Sequence, residues 1–313
     1  MNKKELVDAT LAGREVERPP VSFWYHFGVQ HAPGNRIAEI SLEFLRYYDL
    51  DWLKLMNDYF YPMPSGVSEL ATAAALELIK PLDVRATDWA QQLKAIEIIA
   101  KELDGKAYFI DTVFDPWQVL QRNLVGEHLD ALVESSPGAI LAALDIVTEN
   151  VIAYCREAFR AGIDGIFIST FGSAKQMTRE RYVRFALPFV RRILEAVKDL
   201  GPLNTLHVHD YRIFVEDVVK LPAAALSYED RDASNPSMPE MRRHWGGTIM
   251  AGMHKERVTR VTPAEAARNA VEGMKLGGPT KFMLAPGCSF PTWLYPPAAT
   301  AIVDAVKSWK GDR

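Results

Sequence analysis

The stretch Gly165-Ile166-Phe167-Ile168-Ser169, followed by a helical pattern over 178–200 and then by Thr205-Leu206-His207-Val208, decides the fold. Two short β-prone runs bracket a segment of helical length, the signature of a strand–helix–strand crossover in a parallel sheet. The lengths of both runs suit strands buried on both faces. Thr178, with Glu180 in the first turn behind it, opens the intervening helix.

The same alternation extends along the chain. Further β-prone runs lie at 21–25, 52–56, 107–113, 224–228, 248–251 and 281–284, and helical patterns at 88–103, 137–161, 262–276 and 297–309. Within 137–161, Ile140, Leu144, Val147 and Val151 keep helical spacing, while Thr262, Pro263 and Glu265 form a complete helix-start signal. Eight strands alternating with helices predict an α/β fold, a single (β/α)8 TIM barrel with 1–313 as one domain. The competing doubly wound sheet lacks the Gly-x-Gly-x-x-Gly turn that supports a dinucleotide fold.

Composition narrows the function classes. The 313 residues include 36 Lys+Arg against 40 Asp+Glu, for a net charge of −4, and 48% are apolar. Such a balance offers no electrostatic case for nucleic acid or a membrane surface. No apolar stretch follows Met1-Asn2-Lys3-Lys4-Glu5, and no run reaches the roughly 18 apolar residues of a membrane span, so a cytoplasmic protein is expected. Two distant cysteines, Cys155 and Cys288, exclude a disulfide framework, and Cys155 reads as a small buried apolar residue.

In a barrel of this kind the chemistry lies where strands run out into loops. Those positions hold His26, Asn57, Asp58, Asp111, Asp115, Ser169, His207, His209, Glu229, Asp230, His254 and Cys288. The sharpest signal is Leu206-His207-Val208-His209-Asp210. Histidines at i and i+2 of a strand point to the same side and can reach one ion. Cys288, after Pro286-Gly287, offers a thiolate from another strand end. Two imidazoles and one thiolate with an open fourth position match the ligand count of catalytic zinc. The plainer alternative is a pair of mouth histidines bonded to neighbours; in either case Asp210 or Asp230 is the expected acceptor for an imidazole N–H.

Asp58, followed by Tyr59, Phe60 and Tyr61, suits a proton donor of raised pKa, or equally a strand-to-helix cap. His26 is the member of the aromatic run 23–27 suited to proton chemistry. Asp58 and His26 are therefore the candidate catalytic pair, and Trp24, Asn57, Tyr59, Ser169 and His254 are candidate substrate contacts.

The N-terminal helix leading into Glu17-Arg18-Pro19-Pro20-Val21, the run ending in Asp58, residues 182–188 and residues 285–291 together resemble the uroporphyrinogen decarboxylase family over essentially the whole chain. The resemblance implies the same barrel, with Asp58 at the place of the decarboxylases' central aspartate. Two departures point away from the parent activity. The decarboxylases carry propionate-binding arginines where this chain reads Ser22-Phe23-Trp24-Tyr25-His26-Phe27-Gly28, and a Gly-His-Gly turn where it reads Gly287-Cys288-Ser289. The Pro-Gly-Cys turn resembles instead the cobalamin- and thiol-linked methyltransferase branch, which binds zinc through His-x-Cys and a distant Cys. His207 and Cys288 match that set and His209 replaces its first Cys.

This resemblance implies a zinc-dependent methyl- or alkyltransferase that activates a thiol or similar nucleophile, with Zn2+ at His207, His209 and Cys288 and a corrinoid as methyl donor. The expected partners are a small-molecule substrate, a corrinoid protein and a second copy of the chain in a homodimer. A decarboxylase of the parent type and a non-catalytic corrinoid- or porphyrin-binding barrel are the alternatives.

Overall fold

A computed structural model describes residues 1–311. Seven parallel strands form one curled sheet in chain order: β1 (Trp52–Leu55), β2 (Tyr108–Phe114), β3 (Gly165–Thr170), β4 (Thr205–Val208), β5 (Ala225–Ser227), β6 (Thr248–Met253) and β7 (Phe282–Pro286). Consecutive strands pair throughout, each crossing over through helical segments, so the sheet grows by one strand at a time in one direction.

The expected eighth strand at 21–25 does not form. Val21 makes a single parallel bridge to Leu284 of β7. Pro20 accepts a hydrogen bond from Leu284 N (2.9 Å), Ser22 N donates to Leu284 O (3.2 Å), and Val21 O accepts from Asp51 N (3.0 Å). The ladder stops there because the next rung on the β7 side would run from residue 286 N to Ser22 O, and Pro286 has no N–H; on the β1 side Val21 N donates to the Asp51 carboxylate at 2.9 Å rather than to a backbone carbonyl. The run therefore joins β7 to the start of β1 without being a strand.

Alternate residues fill the interior. Trp24, Trp52, Met56, Phe167, Met250 and Met283 belong to one inner cluster. Helix Lys3–Leu11 sends Val7 and Leu11 into it, closing the end opposite the strand C-termini. A larger cluster fills the space between the sheet and its surrounding helices.

The expected helix over 178–200 is two helices, Arg179–Phe185 and Leu187–Val197, broken at Ala186. Pro188 explains the break, since it cannot donate to the preceding turn and its ring crowds it. The expectation that no segment is apolar enough for a membrane also needs correction. Helix Pro137–Ala161 passes that test by length and composition, but 56% of the qualifying window is buried inside the protein. Ile140, Leu144, Val147 and Val151, the residues picked out by spacing, lie on its buried face.

Arg18 holds the seam. Its guanidinium binds both oxygens of the fully buried Asp51 at 2.6 and 2.9 Å. Arg18→Met leaves that carboxylate with one hydrogen-bond donor and no ion-pair partner in contact, and should cost on the order of 3–5 kcal/mol of stability in urea unfolding.

Candidate metal centre

His207 is the third residue of β4 and points inward, its ring stacked on Phe167 of β3 with centroids 5.1 Å apart and planes at 25°. His209 lies just beyond the strand, yet its N–H still donates to Thr170 O at 2.9 Å. The strand geometry therefore carries one residue further and keeps both imidazoles on the same side. Cys288 enters from the turn after β7, and its Sγ is 3.5 Å from His209 Nδ1. The donor atoms of His207, His209 and Cys288 all lie within 4.8 Å of one another, the one such cluster of His, Cys, Asp or Glu among the described residues. Around a tetrahedral zinc with bonds of about 2.0–2.3 Å, donors sit roughly 3.3–3.8 Å apart. The Sγ–Nδ1 spacing already falls in that range.

The local electrostatics favour metal-ready imidazoles. Burial, then His209 and the ammonium groups of Lys54 and Lys255, hold the His207 pKa well below the usual imidazole range. Burial takes His209 down to about 4 against the attraction of Asp210. Both rings are thus neutral at pH 7, the form that ligates metal. Burial pushes the Cys288 thiol up, with Lys255 opposing.

The partner fixing His207 is neither of the expected aspartates. Its Nδ1 lies 3.1 Å from Ser227 Oγ on β5. Asp210 instead accepts from Gln176 Nε2 at 2.6 Å, in the loop after β3, and Asp230 from Gly252 N of β6 at 2.8 Å. Ser227 sits directly opposite His207 in the β4–β5 register, which gives it the closer reach.

The remaining candidates fall into separate groups. His26 Nδ1 and Asp58 Oδ1 are 2.5 Å apart, His26 half-exposed and Asp58 mostly covered. Asn57 Nδ2 donates to Tyr154 OH at 3.1 Å, and that hydroxyl donates to the buried Asp111 at 2.6 Å. Burial raises Asp111 to about 6, against its hydrogen bonds from Tyr154 and Gln92. The Tyr59 hydroxyl is bonded to Ala32 O, and Ser169 Oγ accepts from Gln118 Nε2 at 3.2 Å. Trp24 is buried in the inner cluster, against Trp52 and Phe167. His254 Nδ1 accepts from Arg257 N at 3.3 Å, which ties it to its own loop.

Two inward groups carry more than their sequence suggested: Lys54 is not among the candidates, and Glu229 is named only as a strand-end position. Lys54 of β1 is 4% exposed, and its ammonium donates to Thr112 Oγ1 and Met56 Sδ, both at 2.8 Å. Burial brings its pKa down to about 7. Glu229 is 3% exposed, with neither carboxylate oxygen hydrogen-bonded, and burial brings it up to about 7. Ser227 and Glu229 repeat the i, i+2 spacing of His207 and His209 on the adjacent strand, the one signal that would have found them.

The sequence profile of uroporphyrinogen decarboxylase (URO-D) matches residues 2–309, and the chain belongs to that family. It is 27% identical over 188 residues to a uroporphyrinogen decarboxylase of Saccharophagus degradans, a match covering 52% of this chain and 51% of the relative. The chain thus spans about half the length of that relative. A methylcobamide:CoM methyltransferase of Methanosarcina mazei is 26% identical over 117 residues, covering 37% of this chain and 34% of the relative. A solved methyltransferase structure from Methanosarcina mazei superposes with a TM-score of 0.79 at 17% identity, over 99% of this chain and all of the other, a likeness of fold.

Gly287 is held by close packing. A Cβ there would lie 2.6 Å from Glu229 Cα and 2.8 Å from its Oε2. Gly287→Ala must displace backbone, and should lower stability by about 1–3 kcal/mol in thermal or urea unfolding.

Proposed function

We propose that this chain is a zinc-dependent methyl- or alkyltransferase acting in the cytoplasm on a small nucleophile such as a thiol. A corrinoid, carried by a partner protein, is the proposed methyl donor. The observation that carries the reading is the convergence of His207, His209 and Cys288 donors within 4.8 Å from two separate strand ends. The methyltransferase relative supports the same branch. The aromatic segment 22–28 speaks against the parent decarboxylation, because it offers no cation to a polycarboxylate.

The donor chemistry fits zinc: two neutral imidazoles and one thiol that ionises on binding. Zinc held there would lower the pKa of a coordinated thiol and keep it nucleophilic at neutral pH. The chain's own residues do the rest. Ser227 takes up His207 Nδ1 and so leaves Nε2 to face the cluster. Phe167 and Phe171 pack on the two imidazoles and limit their rotation. Asp58 accepts from His26 Nδ1, which leaves His26 Nε2 as a proton acceptor or donor at the mouth.

The first test is metal content and its pH dependence. Wild-type protein should take up one zinc, and Cys288→Ser should lose most of it, since the only anionic ligand becomes a neutral hydroxyl. With His209 neutral above about pH 4 and the Cys288 thiol raised above its ordinary value, zinc uptake at pH 7 should release about one proton, from Cys288. Affinity should therefore rise about tenfold per pH unit between pH 5 and 8, as read by competition with a chromogenic chelator. Protein that stays metal-free in excess zinc refutes the reading.

The second test concerns substrate exclusion. Uroporphyrinogen should not be decarboxylated at the roughly 10⁴ M⁻¹s⁻¹ or more expected of an enzyme on its own substrate. Chromatographic assay of coproporphyrinogen release checks this.

A further inference from the structure

Asp58 sits in a loop that packing alone does not hold. The chain between the end of β1 at Leu55 and the next helix at Ala73 contains no helix or strand. Two small cavities, of about 30 and 10 Å³, adjoin it, the first lined by Asn57 and Tyr59, the second by Met56, Asp58 and Tyr59. Side-chain hydrogen bonds from the helices behind the sheet hold it instead. Gln92 Nε2, on helix Trp89–Leu103, donates to Met56 O at 3.2 Å. Asn150 and Tyr154 stand one turn apart on helix Pro137–Ala161. Asn150 Nδ2 donates to Tyr61 OH at 2.6 Å, and Tyr154 OH accepts from Asn57 Nδ2 at 3.1 Å.

The bond at Asn57 bears directly on Asp58. Asn57 Oδ1 accepts from Tyr59 N at 3.3 Å, which closes a side-chain turn over the residue between them, Asp58. One amide is thus committed at both ends, to the helix and to the chain just past Asp58. The Tyr154 hydroxyl can receive this bond because its own proton goes to Asp111 Oδ2, 2.6 Å away. Asp111 is fully buried on β2, and its other oxygen accepts at 2.8 Å from Gln92 Nε2, the same amide nitrogen that holds Met56 O. The residues on both sides of Asp58 are therefore tied to one buried carboxylate. Asp58 itself lies with Oδ1 2.5 Å from His26 Nδ1. A carboxylate only accepts, so the neutral His26 ring must carry its proton on Nδ1 to make this bond.

We propose that Tyr154 is a positioning residue for the proton pair at the mouth: its hydroxyl, oriented by Asp111, pins Asn57, and the turn that Asn57 closes aims the Asp58 carboxylate at His26. This deepens the reading of His26 and Asp58 as that pair, and rests on it. Proton transfer needs its groups held to within about 0.5 Å, which a loop provides only when its own hydrogen bonds are locked from behind. Tyr154 touches neither His26 nor Asp58. Its effect is on which nitrogen of His26 is left to exchange a proton: Nε2 while Asp58 is aimed, either nitrogen once it is not.

Heteronuclear NMR of the histidine ring nitrogens in the full chain tests this, at a pH where His26 is neutral and with His26→Gln assigning its signals. A hydrogen bond to a charged acceptor biases a tautomer equilibrium by about tenfold or more, so wild-type His26 should favour the Nδ1–H form by about 10:1 or better. Asp58→Ala should abolish that bias. Tyr154→Phe and Asn57→Ala should each cut it to below about 3:1, with the ring signals of His207 and His244 unmoved and circular dichroism showing a folded chain. Asn57→Ala leaves Asp111 and both of its donors in place, so it decides the matter if the Tyr154 variant does not fold. A bias that survives in the folded variants, or one lost only together with displaced signals from the other histidines, overturns the positioning role and leaves the pair standing. A wild-type ring without the Nδ1–H bias, indifferent to Asp58→Ala, rejects the pair itself and the role of Tyr154 with it.

Discussion

A sheet of seven strands has two free ends, and the mouth of this protein depends on how they are held together. The task falls to one buried carboxylate. Asp51 takes two N–H groups from Arg18 and one from Val21, so that its charge is met by three donors in a site that water does not reach. Val21, fixed in this way, is the residue that bridges to β7. Asp58 lies a few residues beyond the β1 side of the seam and Cys288 two residues beyond the β7 side. The separation between the His26–Asp58 pair and the His–Cys cluster is therefore set at Asp51, at the opposite end of these strands. A buried ion pair is a poor source of net stability, but it is a strict registry device, because any other alignment strands a charge.

Above the seam, burial governs ionisation. The interior is lined with Trp24, Trp52, Phe167 and methionines, and polar groups that enter it lose their charge. The two imidazoles are neutral for this reason, and Lys54 and Glu229 are each drawn toward neutrality from opposite directions. Lys54 remains tolerable because its ammonium lies 4.5 Å from the Phe167 centroid and 5.3 Å from that of Trp24, on electron-rich ring faces. Phe167 thus serves two groups at once: it carries the lysine and stacks on His207. Rigidity of the metal-ready histidine and placement of the interior cation share one ring.

Much of this was legible in the chain. The runs at 52–56, 107–113, 165–169 and 205–208 appear as strands with shifts of a residue or so, because short β-prone segments between helical patterns leave few alternatives. Cys155 is buried, as its helical setting implied. The i, i+2 histidines face the same side because strand alternation is fixed by backbone geometry. What was not legible depended on partners distant in sequence. Val21 looks like part of a strand until the Asp51 side chain is seen to take its N–H. Ser227 could not be preferred to Asp210 or Asp230 without the β4–β5 register. Lys54 reads as a surface residue by type, and only the parity it shares with Trp52 and Met56 turns it inward.

The packing of Gly287 against Glu229 bears on how this site could have diverged. The obstacle to a side chain at 287 is the backbone Cα of Glu229, in the loop after β5, 2.6 Å from where a Cβ would stand, so no shrinkage of residue 229 relieves it. Position 287 is fixed by backbone packing, while Cys288 beside it is only partly buried. One residue exchange at 288 therefore swaps the functional group presented there, imidazole for thiol or the reverse, without rebuilding the turn. The glycine is the inherited socket, and the residue after it is the part that evolution can replace.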